Sequence, residues 1–144
     1  MNIVTDLFGV STILFKELPL SKAFEIISRT KFKEIDLGII PPDFCPHYFP
    51  LETNTDDDKR LKELISGDAL IVSTLNIHPG YFNSNSYQTK EVSRFIRRCI
   101  EIAIILGVKK ITLPSGLKVE KKYWLDNVKH VRKYLIEESI YAKE

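Results

Sequence analysis

Residues 69–77 read ALIVSTLNI, and this stretch decides the fold class. Its length and its β-branched side chains predict a strand. The run is apolar almost throughout, which is typical of a parallel strand that is covered on both faces. Strands of this kind occur with helices before and after them in the chain, so we expect helical segments on either side.

Strands and helices alternate along the whole sequence. Apolar runs predict further strands at residues 8–15, 34–40 and 109–116. Apolar residues at helical spacing predict helices at residues 19–32, 56–67, 89–107 and 124–144. This order implies one α/β domain over residues 1–144, with a parallel sheet and right-handed crossovers.

Two architectures are common for such an order, an open doubly wound sheet and a (β/α)8 barrel. A nucleotide-binding open sheet usually has a glycine-rich turn after its first strand. The corresponding turn here, KELPLS at residues 16–21, contains no glycine. The sequence therefore disfavours the open sheet.

Local signals predict where the helices begin and end. Ser21 is the expected N-cap of the first helix, and the aspartates at 56–58 suit the first turn of the second. Thr89 and Gly107 are expected to begin and end the third. In the last helix, the apolar residues expected on the inner face are Trp124, Val128, Val131 and Leu135.

The composition is that of an ordinary globular protein, with 44% hydrophobic and 28% charged residues. The net charge of +2 comes without a cluster of basic residues, so we expect no nucleic-acid partner. No apolar run approaches the roughly 20 residues of a membrane span, so we expect no membrane partner either.

Cys45 and Cys99 lie far apart and do not form a disulfide framework. The first residues contain an early Asp6 and no basic segment, so we expect no secretory signal. A reducing cytoplasm is the expected location.

Polar residues gather where the predicted strands end, and the chemistry of parallel α/β folds is found at these carboxyl ends. Ser11, Thr12 and Asn76 lie there. So do the residues that we expect to contact a substrate, which are Asp36, His47, His78, Tyr81, Asn83 and Ser115. Hydroxyl, carboxylate, imidazole and amide groups on one rim are typical of a pocket that binds a sugar or a metal–hydroxyl pair.

Each main candidate also has a purely structural interpretation. His78 is the strongest, because imidazole can bind a metal or a substrate oxygen, but it can equally satisfy neighbouring backbone groups. Asp36 lies inside an apolar strand, where a carboxylate needs a hydrogen bond or a wet pocket. His47 belongs to an irregular loop at residues 41–55 that contains four prolines, and long loops of this kind are often functional.

Three stretches together resemble the xylose isomerase-like barrels. FKEIDLGI, residues 32–39, is similar to the family's second strand, where an acidic residue stands among apolar ones. NIHPGYFN, residues 76–83, is similar to the third strand, with its histidine. EIAIILGVKKITLPSG, residues 101–116, is similar to the third helix and fourth strand.

The resemblance implies a (β/α)8 barrel that isomerises or epimerises a small sugar or sugar phosphate. It implies a divalent metal (Mn, Mg, Zn or Co) in the complete barrel, held by residues of strands five to eight, and a substrate-binding role for His78. Endonuclease-like members carry a histidine where Leu113 and Pro114 stand here, which disfavours DNA repair.

A complete barrel needs about 250 residues. We therefore expect the N-terminal half-barrel of four βα units, with the substrate rim and without the catalytic glutamates or a tightly bound metal, and inactive alone. A missing C-terminal half would complete it. The alternative is a non-catalytic binding or assembly module that forms a homodimer through the open edges of its first and fourth strands. An open-sheet nucleotide binder is a third possibility.

Overall fold

The computed structural model describes residues 8–79, 86–114 (side chains from residue 90 onward) and 120–143. These residues form a parallel four-stranded sheet. Its strands are β1 Val10–Ser11, β2 Glu34–Ile39, β3 Ile71–Ile77 and β4 Ile111–Thr112. Their order in the sheet is β1-β2-β3-β4, without the reversal that defines an open doubly wound sheet. The expected fold, half of a (β/α)8 barrel, is confirmed.

An α-helix follows each strand, as predicted. The helices are α1 Leu20–Ser28, α2 Thr55–Gly67, α3 Ser86–Leu106 and α4 Trp124–Tyr141. Short 3₁₀ helices occur at Thr12–Phe15, Pro50–Glu52 and Lys121–Tyr123. No helix in the part of the chain that the structure describes is long and apolar enough to cross a bilayer.

The helix starts differ from the predicted ones. Pro19 holds the N-cap position of α1, where its carbonyl accepts hydrogen bonds from the amides of Lys22 and Ala23, so the prediction of Ser21 as the cap is wrong. α3 begins at Ser86, so Thr89 lies inside its first turn and does not begin it. Gly107 does end α3, with a φ of +74° that favours glycine.

α2 begins with a capping box that was not among the helix starts predicted from the sequence. The side chain of Asn54 accepts hydrogen bonds from the amides of Asp56 and Asp57, and the Asp57 carboxylate accepts one from the amide of Asn54. These bonds satisfy donors that the first turn of a helix leaves free. The predicted placement of three aspartates in this turn is confirmed.

The core lies on one face of the sheet. Ile35, Leu37 and Ile39 of β2 and Leu75 and Ile77 of β3 are all buried against the helices. The apolar helix residues in the same cluster are Leu20, Phe24, Ile27, Leu61, Ile65, Val92, Phe95, Ile96, Cys99, Ile100, Ile102, Ala103 and Val131.

The opposite face of the sheet is polar. Because side chains alternate along a strand, Asp36 of β2 and Thr74 and Asn76 of β3 point away from this core, and all three are only half-buried. The expectation that β3 is covered on both faces is therefore wrong for the described residues. In a closed barrel this second face would line the interior.

β1 is much shorter than the predicted strand at 8–15, because the chain leaves the sheet after Ser11 and turns into the 3₁₀ helix. The Thr12 hydroxyl accepts the hydrogen bond of the Gly38 amide at 2.9 Å, in place of a strand carbonyl. Thr12 is fully buried. The turn also brings Ile13 against Gly38, where a side chain would have no room.

β4 is likewise shorter than the predicted strand at 109–116. Only Ile111 and Thr112 pair with β3, opposite Leu75 and Asn76. Pro114 follows closely and cannot donate to a ladder. Residues 115 and 116 lie outside the described residues.

The inner face predicted for α4 is only partly an inner face. Val131 is 7% exposed and belongs to the core, whereas Trp124, Val128 and Leu135 are 59%, 39% and 40% exposed. The four residues do form one stripe along the helix. The exposed part of the stripe has no strand of the described sheet beneath it.

A buried ion pair ties the loop before α2 to the helices. Asp58 is fully buried, and its carboxylate accepts hydrogen bonds from the Tyr48 hydroxyl at 2.5 Å and from Arg98 Nη2 at 2.6 Å. Burial, together with the hydrogen bond to Asp58, raises the pKa of Tyr48. The loop, α2 and α3 are thereby joined at one carboxylate.

We expect Gly38→Ala to destabilise the protein by about 1–3 kcal/mol, because the new methyl group would overlap Ile13 Cγ1. Gly67→Ala is the matched control, since nothing lies within 4 Å of its added Cβ. Urea unfolding measures both. Adding Ile13→Ala to Gly38→Ala should recover part of the lost free energy of unfolding. Equal stability of Gly38→Ala and Gly67→Ala would contradict the proposed overlap.

We expect Arg98→Met to cost about 3–5 kcal/mol, because it leaves the Asp58 carboxylate buried without its cation. Arg94→Met, on the exposed side of the same helix, should change the free energy of unfolding by about 0–1 kcal/mol, since its nearest carboxylate is 3.9 Å away and exposed. Thermal or urea unfolding compares the two. Similar losses would mean that the buried pair contributes no more than a surface pair.

Candidate functional site

Asp36 and Asn76 form a hydrogen-bonded pair on the polar face of the sheet. Asn76 Nδ2 donates to Asp36 Oδ2 at 3.0 Å. The sequence is compatible with two roles for Asp36, a site residue or a hydrogen-bond partner for a neighbouring strand. The second is observed here, and it involves one of the two carboxylate oxygens.

A β-bulge sets the alignment of this pair. Ile35 pairs with Val72, but the next residue, Asp36, pairs with Thr74, so Ser73 has no partner of its own in the ladder. The Ser73 hydroxyl donates to the Ile35 carbonyl at 3.2 Å. Bulges re-aim side chains. Here the bulge places Asp36 on the same face as Thr74 and Asn76.

The other carboxylate oxygen, Asp36 Oδ1, is buried and has no hydrogen-bond partner among the described residues. Ser11, the neighbour of Asp36 in the β1–β2 ladder, has a hydroxyl in the same condition. Buried polar atoms are normally satisfied. Two adjacent ones single out this point of the polar face, and a bound molecule would reach either atom only by displacing the groups that cover them.

His78 stands at the carboxyl end of β3. Its amide donates to the Ile39 carbonyl at 3.0 Å, which continues the ladder one residue beyond the strand. The side chain is exposed, and its ring makes no hydrogen bond with the residues that the structure describes. His78 is thus held by its backbone and presents an exposed imidazole at the rim, two residues beyond Asn76.

His47 is occupied by a structural contact. Its Nε2 lies 3.1 Å from the Phe15 carbonyl and 2.9 Å from the Leu18 carbonyl, and it must donate to them because carbonyls only accept. The imidazole thereby fastens the loop after β2 to the segment before α1. Cys45, in the same loop, is buried, and burial raises the pKa of its thiol. The substrate contact predicted for His47 stays a prediction.

The remaining predicted site residues, Tyr81, Asn83 and Ser115, lie outside the described residues. Their predicted contacts with a substrate stay predictions. The structure places Asp36 within β2, opposite Thr74, and His78 just beyond the carboxyl end of β3, four residues further along the ladder. It adds Asn76 and Ser11 beside Asp36.

Three solved structures illustrate what this fold is similar to. A D-psicose 3-epimerase in the presence of D-fructose is 11% identical, with a TM-score of 0.69, and the match covers 94% of this chain and 48% of the epimerase. A sugar phosphate isomerase/epimerase from Parabacteroides distasonis is 15% identical, with a TM-score of 0.63 and coverages of 94% and 47%.

The third is a xylose isomerase-like TIM barrel protein from Mycobacterium smegmatis in complex with magnesium. It is 11% identical, with a TM-score of 0.65 and coverages of 94% of this chain and 52% of that protein. The chain has the fold of half a xylose isomerase-like TIM barrel. It spans about half of the length of each of these structures.

The likeness of this half-barrel to those enzymes is one of fold. No protein-family model and no curated protein sequence matches the chain. The resemblance seen in the sequence is confirmed at this level.

A divalent metal does not fit the described part of the half-barrel. Within residues 8–79, 86–114 and 120–143, no three histidine, cysteine or acidic residues lie close enough together to hold a metal ion. Asp36 has one carboxylate oxygen bound by Asn76, and His47 Nε2 is bound to two carbonyls. The chemistry that these residues offer is hydrogen bonding to a ligand.

Proposed function

We propose that this half-barrel supplies the substrate-binding rim for a small sugar or sugar phosphate in a barrel of the isomerase/epimerase type. The observation that carries the proposal is the Asp36–Asn76 pair. It holds a carboxylate rigidly on the polar face of the sheet, and Oδ1 has no partner among the described residues.

The chemistry of the pair suits a polyol. A carboxylate oxygen accepts a hydrogen bond from a sugar hydroxyl, and such charge-assisted bonds are stronger than neutral ones. Asn76 gives one amide hydrogen to Asp36, so its carbonyl oxygen is left to accept from the ligand. The hydrogen bond to Asn76 fixes the orientation of the carboxylate, which reduces the entropy lost on binding.

His78 adds a second contact at the mouth of the same face. Its exposed imidazole has both a donor and an acceptor nitrogen in the neutral form, which matches a hydroxyl group. Asp36 pairs with Thr74, so His78 lies four residues, roughly 13 Å, further along β3. In our proposal His78 contacts the ligand at the mouth of the face, and Asp36 lies deeper.

These groups bind and orient a ligand. An isomerase also needs an acid and a base on either side of the reacting carbon. In our proposal this chain supplies contacts that bind and orient the ligand, and not that acid and base. Interaction with a sugar is the part of the function that this chain can be tested for directly.

We expect Asp36→Asn to weaken binding of D-fructose by roughly 10-fold or more, since a hydrogen bond to a charged group is worth about 1.5–3 kcal/mol. His78→Ala should weaken it by up to about 10-fold, the value of a neutral hydrogen bond. Titration calorimetry or amide chemical shifts, with D-fructose and D-fructose 6-phosphate as ligands, measure both effects.

Glu63→Gln is the matched control for the removal of a carboxylate, because Glu63 is exposed on α2. It should leave the affinity unchanged. Neither variant at the site is expected to unfold the protein, since His78 is exposed and the amide oxygen introduced by Asp36→Asn can still accept from Asn76. Binding that is insensitive to both variants, or no binding of either sugar, would rule out the proposed rim.

A further inference from the structure

α4 carries an apolar stripe that the described residues cover only in part. Trp124, Val128 and Leu135 lie on the same side of the helix as the buried Val131, yet they are 59%, 39% and 40% exposed. Isolated exposed apolar residues are common, but a continuous stripe on one helix indicates an interaction surface.

The position of the stripe explains its exposure. β4 is the last strand of the sheet, so no described strand lies beyond it under α4. In a (β/α)8 barrel the outer ring of helices is continuous around a closed sheet. The stripe therefore faces the side on which a fifth strand and its helix would stand.

The opposite edge of the sheet, at β1, is likewise without a partner strand among the described residues. β1 pairs with β2 alone among the described strands. Phe8 precedes β1 and Leu14 follows it, and they are 62% and 76% exposed. We call Phe8, β1 and Leu14 the β1 flank, and β4 with the α4 stripe the β4 flank. Both flanks combine an unpaired strand edge with exposed apolar side chains.

We infer that a second copy of this chain covers both flanks, with the β1 flank of each copy against the β4 flank of the other. A two-fold axis makes both contacts at once, because each copy carries one flank of each kind. β1 and β4 are each two residues long, so their edges match in length. The sum is eight strands, the number in a closed barrel of this kind.

The solved structures indicate how large a partner that closes the barrel should be. The match covers about half of each of them, so the rest of each barrel is of similar length. A second copy of the chain has the required size and strand number. It would also bring a second Asp36, Asn76 and His78 to the same rim, so that the proposed binding site is completed only by the pair.

The experiment is the molar mass in solution, measured by light scattering across a concentration series. We expect twice the chain mass of 16.6 kDa at high concentration. Val128→Asp should raise the dimer dissociation constant by about 100-fold or more, because it would bury an unpaired carboxylate. Ile104→Asp is the matched control, since Ile104 is 73% exposed on α3 outside either flank, and the dimer should persist.

Leu14→Asp tests the other flank and guards against a folding defect in the first variant, because Leu14 is 76% exposed and contributes little to the core. It should weaken the dimer like Val128→Asp, with unchanged helical circular dichroism. A mixture of the two variants should dimerise better than either alone, because one of its two contacts then contains no substitution.

Three results would overturn the inference. They are a wild-type monomer at every concentration, a dimer that neither flank variant weakens, and a dimer that Ile104→Asp weakens as much as the flank variants do. The inference does not depend on sugar binding. A dimer that binds no sugar would refute the proposed function alone, and a monomer that binds sugar would refute the dimer alone.

Discussion

The pairing of β2 with β3 is the interaction on which the rest of the structure depends. It is the one long ladder among the described strands, because β1 and β4 each pair over only two residues. One face of this ladder carries the isoleucines and leucines that pack against the helices, and the other carries Asp36 and Asn76. Core and candidate site are thus two sides of the same pair of strands.

The sequence predicted the order of strands and helices because the periodicity of apolar residues records which side of an element is buried. It did not predict the bulge after Ile35, which is a shift in backbone pairing without a residue signature. It also did not predict the early end of β1, which depends on a contact between Thr12 and Gly38, far apart in the chain. Long-range contacts of this kind cannot be read from local patterns.

The candidate site was predictable in part. Asp36 stood out because a carboxylate is costly in an apolar strand, and His78 because it follows one. Their placement on adjacent strands followed from the predicted sheet. The hydrogen bond from Asn76 and the loop contact of His47 were not predicted, because both depend on distances that only the folded chain defines. The stripe on α4 was correctly located, but its burial depends on what lies beyond β4.

The brevity of β1 and β4 has a consequence for solubility. A long, flat edge strand offers a row of free amides and carbonyls on which further chains can add, and this is a common route to aggregation. Edges of two residues offer few such groups, and Pro114 lies shortly beyond one of them. An open sheet with such short ends resists uncontrolled strand addition, and growth into fibrils is disfavoured even when no partner is bound.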